Sequence, residues 1–194
     1  MNTLLDRPVW ASLLHAPQLA EGGDLARRYR RDVNLFASAR DDGAASLAAL
    51  AALVGAGESV YLAQVAPVQV PPGLQLVRSA QGVQMLAMRA VAPVDGPEAV
   101  VVLGDADAPE MLALAQRTEP GPFLPRTHSM GRFVGVRIDG RLAAMAGERM
   151  RFAGATEVSG VCTHPDFRGR GLARRLSSVV AHAIQQRGEQ AFLH

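Results

Sequence analysis

The sequence predicts an α/β (α+β) fold, a mixed and largely antiparallel sheet flanked by helices. Three observations predict it. Phe133 to Thr163 alternates apolar strand-like runs with tight-turn signals. The last run ends at His164-Pro165, and a glycine-rich, arginine-bearing turn leads into an amphipathic helix. Upstream, between Val60 and Ala115, short strand candidates precede a well-marked helix start. The 194 residues fit one large domain or two small ones. With 48% hydrophobic residues, the chain can bury a sizeable core.

Residues 1–43 read as irregular or helical, with a basic stretch at Arg27-Arg28-Tyr29-Arg30-Arg31 and a breaker at Asp41-Asp42-Gly43. Ser46 to Val54 is rich in alanine and leucine and reads as a short helix. Val60 to Val65, Val83 to Met88 and Ala99 to Leu103 read as strands. Asp107-Ala108-Pro109-Glu110 supplies an acidic cap, an early proline and a first-turn acid, so a helix should run through Met111, Leu112, Leu114 and Ala115. Glu119-Pro120-Gly121-Pro122 interrupts both helix and strand and marks the best boundary. Residues 1–120 are then an N-terminal α/β region that shapes an acceptor pocket or a dimer surface, and a degenerate second copy of the same fold is one form it could take.

Residues 121–194 form the core of the reading. Phe133 to Ile138 is a strand, Asp139-Gly140 a two-residue hairpin turn and Leu142 to Met150 the returning strand. Phe152-Ala153-Gly154-Ala155 reverses the chain again, and Glu157 to Thr163 is the third strand of an antiparallel meander. The following helix puts Leu172, Leu176, Val179, Val180, Ala183 and Ile184 on one face, with Gly188 as its stop. A strand–turn–helix unit closes with a parallel strand beside the first. Here Ala191-Phe192-Leu193 only begins it. The expectation is a core without its C-terminal strands, or a homodimer in which a partner supplies that edge.

Composition excludes several classes. A net charge of +2 and few aromatic residues (one Trp, two Tyr, six Phe) argue against a nucleic-acid binder built on the arginines. The single cysteine, Cys162, can form neither an intrachain disulfide nor a thiolate cluster. The five histidines show no metal-ligand spacing, so no metal is expected. No secretory signal or membrane-length apolar run is present, so the expectation is a cytoplasmic protein without membrane partners.

The strand–Gly-rich turn–helix junction makes an anion site. Unpaired N–H groups of the turn and of the first helical residues converge there, and the helix dipole adds positive potential. The ligand should therefore carry phosphates. Arg168-Gly169-Arg170-Gly171-Leu172-Ala173, set after a meander and before an amphipathic helix, resembles the signature of the GNAT superfamily of acetyl-CoA-dependent N-acetyltransferases. The resemblance covers Phe133 to His194, and the Pro-Gly-Pro-Phe approach is similar to that of a bacterial subgroup with a long N-terminal extension.

The resemblance implies that Arg168, Gly169, Arg170, Gly171, Leu172 and Ala173 grip the coenzyme A pyrophosphate. Val161, Cys162 and Thr163 would hold the pantetheine arm by main chain. Arg174 and Arg175 either contact a 3′-phosphate or form an exposed charged face. An amine would attack the thioester directly, within a ternary complex. It arrives protonated, and a carboxylate can take the proton; Glu157 is the first candidate base and Glu148 the second. The N–H of Val161 or Cys162 would hold the oxyanion. Many members use a tyrosine beyond the closing strand as general acid; Tyr29 and Tyr61 lie in the wrong part of the chain, so weak or no activity is expected of this chain alone. A buried packing role is the bland reading of Cys162 and of His164, and Arg126, Thr127, His128 and Ser129 could line the acceptor pocket. The acceptor is a small-molecule or peptide amine that no motif identifies. Alternatives are a longer-acyl or aminoacyl transferase, and a non-catalytic acetyl-CoA sensor.

Overall fold

The computed structural model describes residues 3–194. Two compact units divide after Gly82, Met1–Gly82 and Val83–His194. The expected boundary near residue 120 therefore falls inside the second unit. Tertiary pairing is the cause: Val100–Leu103 forms a ladder with Phe133–Ile138 from the far side of the Pro-Gly-Pro segment.

The first unit holds helices α1 (Pro8–His15) and α2 (Ala44–Ala52) and a three-stranded antiparallel sheet of β1 (Ala20–Gly22), β2 (Ala26–Tyr29) and β3 (Ala37–Ala39). The basic stretch, read as irregular or helical, supplies β2. Its charges are matched by acids elsewhere in the chain. Arg28 is buried and bonds Glu58 at 2.8 Å, and Arg31 reaches Glu58 at 2.5 Å and Glu21 at 3.0 Å. Tyr29 is fully buried, its hydroxyl 2.6 Å from Ser12. The strand expected over Val60 to Val65 is reduced to one bridge, Tyr61 with Phe36.

The second unit contains β4 (Met85–Leu86), β5 (Val100–Leu103), α3 (Ala108–Thr118), β6 (Phe133–Ile138), β7 (Arg141–Phe152), β8 (Ala155–Thr163), α4 (Leu172–Gln186) and β9 (Gln190–Leu193). Its six strands run in the order β4-β9-β8-β7-β6-β5, with β8 and β9 parallel and the other pairs antiparallel. The hairpin after β6 forms as its sequence demands: Asp139 and Gly140 take φ of +50° and +75°. The closing strand, expected to be barely begun, forms as β9, and β4 of the same chain pairs with its outer edge. Of the expected Val83 to Met88 strand, Met85 and Leu86 stand in register with Leu193 and Phe192, and the Ala87 N–H donates to Ala191 O at 2.9 Å.

Each face of this sheet carries one helix. Met111 and Leu114 of α3 pack with Leu103, Phe133, Met145 and Cys162. Leu172, Leu176, Val180 and Ile184 of α4 pack with Val134, Val136, Ala144, Ala146 and Val158 on the other. Gly188 (φ +76°) ends α4: its N–H donates to Gln185 O, and the Glu189 N–H to Ile184 O, which satisfies two orphan carbonyls. Leu176 has no solvent exposure. Leu176→Ala is expected to lower stability by about 2–5 kcal/mol in urea denaturation, from lost transfer energy and an unfilled cavity.

Candidate functional site

The site forms where β8 parts from its neighbours. Met145 faces Cys162 and Gly147 faces Ser159, so Ala146 of β7 lies opposite both Gly160 and Val161 of β8. The surplus residue is a β-bulge, which bends a strand and increases its twist. Gly160 takes φ +61° at the bulge, a conformation glycine adopts without strain. β9 pairs with β8 only at Ala155, Thr156 and Glu157. Beyond Glu157, no strand among the described residues borders the outer edge of β8, so backbone groups up to Thr163 are open to a ligand lying alongside.

At the end of this edge the chain makes a 3-10 turn at Pro165–Phe167 and enters the glycine-rich turn. Gly169 and Gly171 have φ of +79° and +73°, and a Cβ on either would meet no atom within 4 Å. Conformation, not crowding, requires glycine here, and the space beside each is open. Gly171 is the N-cap of α4, whose first N–H groups have no acceptor within the helix. The Arg141 and Arg170 guanidiniums lie over the Phe167 ring at 5.2 and 5.4 Å.

Edge and turn border one open cleft of about 450 Å³. Val161, Cys162, Thr163 and every residue from Arg168 to Arg174 line it, with Thr118 and Pro120 at the end of α3. Thr163 Oγ1 is buried and has no hydrogen-bond partner among the described residues. A phosphate-bearing, extended ligand fits this donor set: charge and free N–H groups at one end, an open strand edge along its length. Arg175 serves differently from Arg174. Its guanidinium donates to the carbonyls of Gly96 (3.1 Å) and Glu98 (2.7 Å), tying that loop to α4. The Cys162 thiol is pushed up to about 11 by burial, so it stays protonated and is a poor nucleophile. His164 accepts the Asp166 N–H on Nδ1 and packs on Phe167, a structural role.

The two carboxylates expected as bases stand away from the cleft lining. Glu157 is fully buried. Arg149 donates from Nε and Nη2 to its two oxygens, both at 2.7 Å, and His194 Nδ1 lies 2.8 Å from Oε1. A second bulge arranges this: between the pairs Glu148–Val158 and Arg151–Thr156, β7 spends Arg149 and Met150 opposite Glu157 alone. Burial, the largest single influence, would raise the Glu157 carboxyl; the Arg149 charge and hydrogen bonds, with His194, overcome it and hold it at about 2. Glu148 is also buried and pairs with Arg187 at 2.8 Å. The geometry makes both members of ion pairs, and the Glu157 carboxylate, held at about 2, has little affinity for a proton.

A small crevice adjoins the cleft, since Pro120 borders both. Phe123, Thr127, Phe133, Arg149, Ser159 and Gly160 are among its walls. Of Arg126, Thr127, His128 and Ser129, Thr127 reaches it; His128 instead bonds Asp105 at 2.9 Å. Phe133, Arg149 and Gly160 were not singled out in the sequence. One signal was present for Gly160, because a lone glycine inside an apolar strand pattern marks a bulge.

The family described as FR47-like protein matches residues 133–194. The chain is similar to a crystal structure from Novosphingobium aromaticivorans DSM 12444, a GNAT-family protein described as an acetyltransferase. The two are 46% identical, with 97% of this chain and 84% of that chain covered and a TM-score of 0.89. A GCN5-related N-acetyltransferase from Kribbella flavida is 22% identical over 57% of this chain and 49% of that chain, with a TM-score of 0.42. No curated protein matches.

Proposed function

This chain belongs to the GNAT family of acetyltransferases, and from that membership we propose that it moves the acetyl group of acetyl-CoA to a primary amine by direct attack. The observation that carries the reading is the cleft itself, in which the open edge of β8 leads into the glycine-rich turn before α4. The pyrophosphate would sit on the N–H groups from Gly169 to Ala173, with Arg168, Arg170 and Arg174 adding charge. The pantetheine amides would pair with Val161, Cys162 and Thr163, as an added strand pairs with an edge.

The thioester carbon then lies beside the bulge. As the amine nitrogen bonds to it, negative charge grows on its oxygen, and the N–H of Val161 or Cys162 would hold it. The ammonium form of the amine first gives one proton to water admitted by the open cleft. After attack the carbon–sulfur bond breaks, the thiolate of coenzyme A leaves, and the nitrogen's second proton passes to that thiolate or to water, leaving the neutral amide. Glu157 acts as a positioning residue: it fixes Arg149 in the wall of the crevice. The acceptor is a small-molecule or peptide amine. No helix among the described residues is long and apolar enough to cross a membrane.

The test is release of coenzyme A thiol from acetyl-CoA in the presence of amino acids, polyamines and peptides with free N-termini. At least one class should raise release above the water-only rate. Binding of acetyl-CoA with no amine-dependent release in any class would overturn transfer and favour a sensor. Cys162→Ala should retain transfer, because no acyl-cysteine forms; a covalent route would lose it.

A further inference from the structure

We infer that the Phe133 ring is the stop that limits the acyl group accepted here to acetyl and its shortest homologues. The inference rests on the acetyl-CoA reading and adds what that reading leaves open, the length of the acyl chain. Its ground is the crevice beside the bulge, whose walls include none of the residues assigned to gripping the coenzyme.

The direction of the coenzyme follows from the cleft. Phosphates at Arg168 to Arg174 and a pantetheine arm along Thr163, Cys162 and Val161 bring the thioester to Gly160 and Ser159. Those two residues also line the crevice, whose free space is about 10 Å³, room for about one water or one methyl group. Phe133 closes it. The ring is 2% exposed and stands in cross-strand register with Gly147, which in turn faces Ser159. It lies directly over both glycines: a Cβ on Gly147 would come within 2.4 Å of the ring, and one on Gly160 within 2.9 Å.

The ring cannot yield readily. Met111, Met145 and Leu103 pack with it in the core, and Phe123 meets it edge-on with centroids 5.7 Å apart. A close-packed interior resists extra methylenes. An acetyl methyl fits the space; a six-carbon chain requires the ring to move.

Calorimetric titration of the whole chain with coenzyme A, acetyl-CoA, butyryl-CoA and hexanoyl-CoA tests this without an acceptor. Hexanoyl-CoA should bind about tenfold or more weakly than acetyl-CoA, with the loss growing along the series. Phe133→Leu, which keeps an apolar side chain against the core, should narrow the acetyl-to-hexanoyl gap. Should that variant fail to fold, the unmodified chain still decides: equal affinity for acetyl-CoA and hexanoyl-CoA overturns the inference. Failure of coenzyme A itself to bind would instead overturn the acetyl-CoA reading on which the inference rests.

Discussion

Arg149→Met should destabilise the protein by about 3–5 kcal/mol at neutral pH and reverse the acid dependence of its stability. Arg149 and Glu157 form a bidentate pair in which the carboxylate has no solvent exposure. Removing the guanidinium leaves a buried charge with only the His194 ring and a long hydrogen bond from the Met150 N–H among the described residues. The pH dependence gives the sign. In the native protein the Glu157 carboxyl is lowered from 4.5 to about 2, so its stabilising contribution is fully present above 4.5 and is lost as pH falls toward 2. Without Arg149, burial dominates and raises the folded value above the unfolded one. Stability is then lost as pH rises through that raised value, so the variant should be more stable near about pH 5 than at neutrality. Arg149→Met with Glu157→Leu should recover most of the loss, since an apolar pair of similar volume leaves no unpaired charge. Urea denaturation at several pH values measures all three. A single variant with the native acid dependence would contradict the assignment of Glu157 to this pair.

Gly160→Val should cost both stability and coenzyme binding. The φ of +61° at this position costs a residue with a Cβ about 1–2 kcal/mol, and β-branching makes it worse. Contact with the Phe133 ring adds overpacking of about 1–3 kcal/mol. The least costly escape is to flatten the bulge, which slides β8 back into register with β7 and moves Val161 and Cys162 off the cleft edge. The thermal midpoint should fall, and acetyl-CoA affinity should drop even in the fraction that stays folded. Gly154→Ala is the control. Gly154 is also at positive φ, but it sits in a turn with no atom near its Cβ position, and it should lose stability without losing affinity.

What the sequence disclosed and what it hid divide along physical lines. The β6–β7 hairpin, α4 and the glycine-rich turn were readable because each is specified locally. Asp139-Gly140 takes the turn, the 3.6-residue period of Leu172, Leu176, Val180 and Ile184 sets the helix face, and Gly169 and Gly171 occupy left-handed positions. The placement of β5 and α3 was not local. Val100–Leu103 belongs with β6 through a ladder formed across some thirty residues of intervening chain. The basic stretch around Arg28 became a strand because Glu58, remote in sequence, neutralises it. The character of Glu157 was the largest omission. The family resemblance offered it as a candidate base, but the bulge that sets Arg149 against it has no periodic signature. The crevice closed by Phe133 was invisible for the same reason: it depends on three strands meeting at two glycines.

The central claim is that the turn from Arg168 to Ala173 holds the coenzyme's phosphates. Calorimetric titration of acetyl-CoA into the native chain and into an Arg168→Ala/Gly171→Glu double variant tests it most directly. The variant removes one cation and sets a carboxylate at the helix N-terminus, where a phosphate is to bind. The account predicts binding near about micromolar Kd by the native chain and loss of about a hundredfold or more in the variant, with its melting curve retaining a cooperative transition. Equal affinity in the two proteins would contradict it.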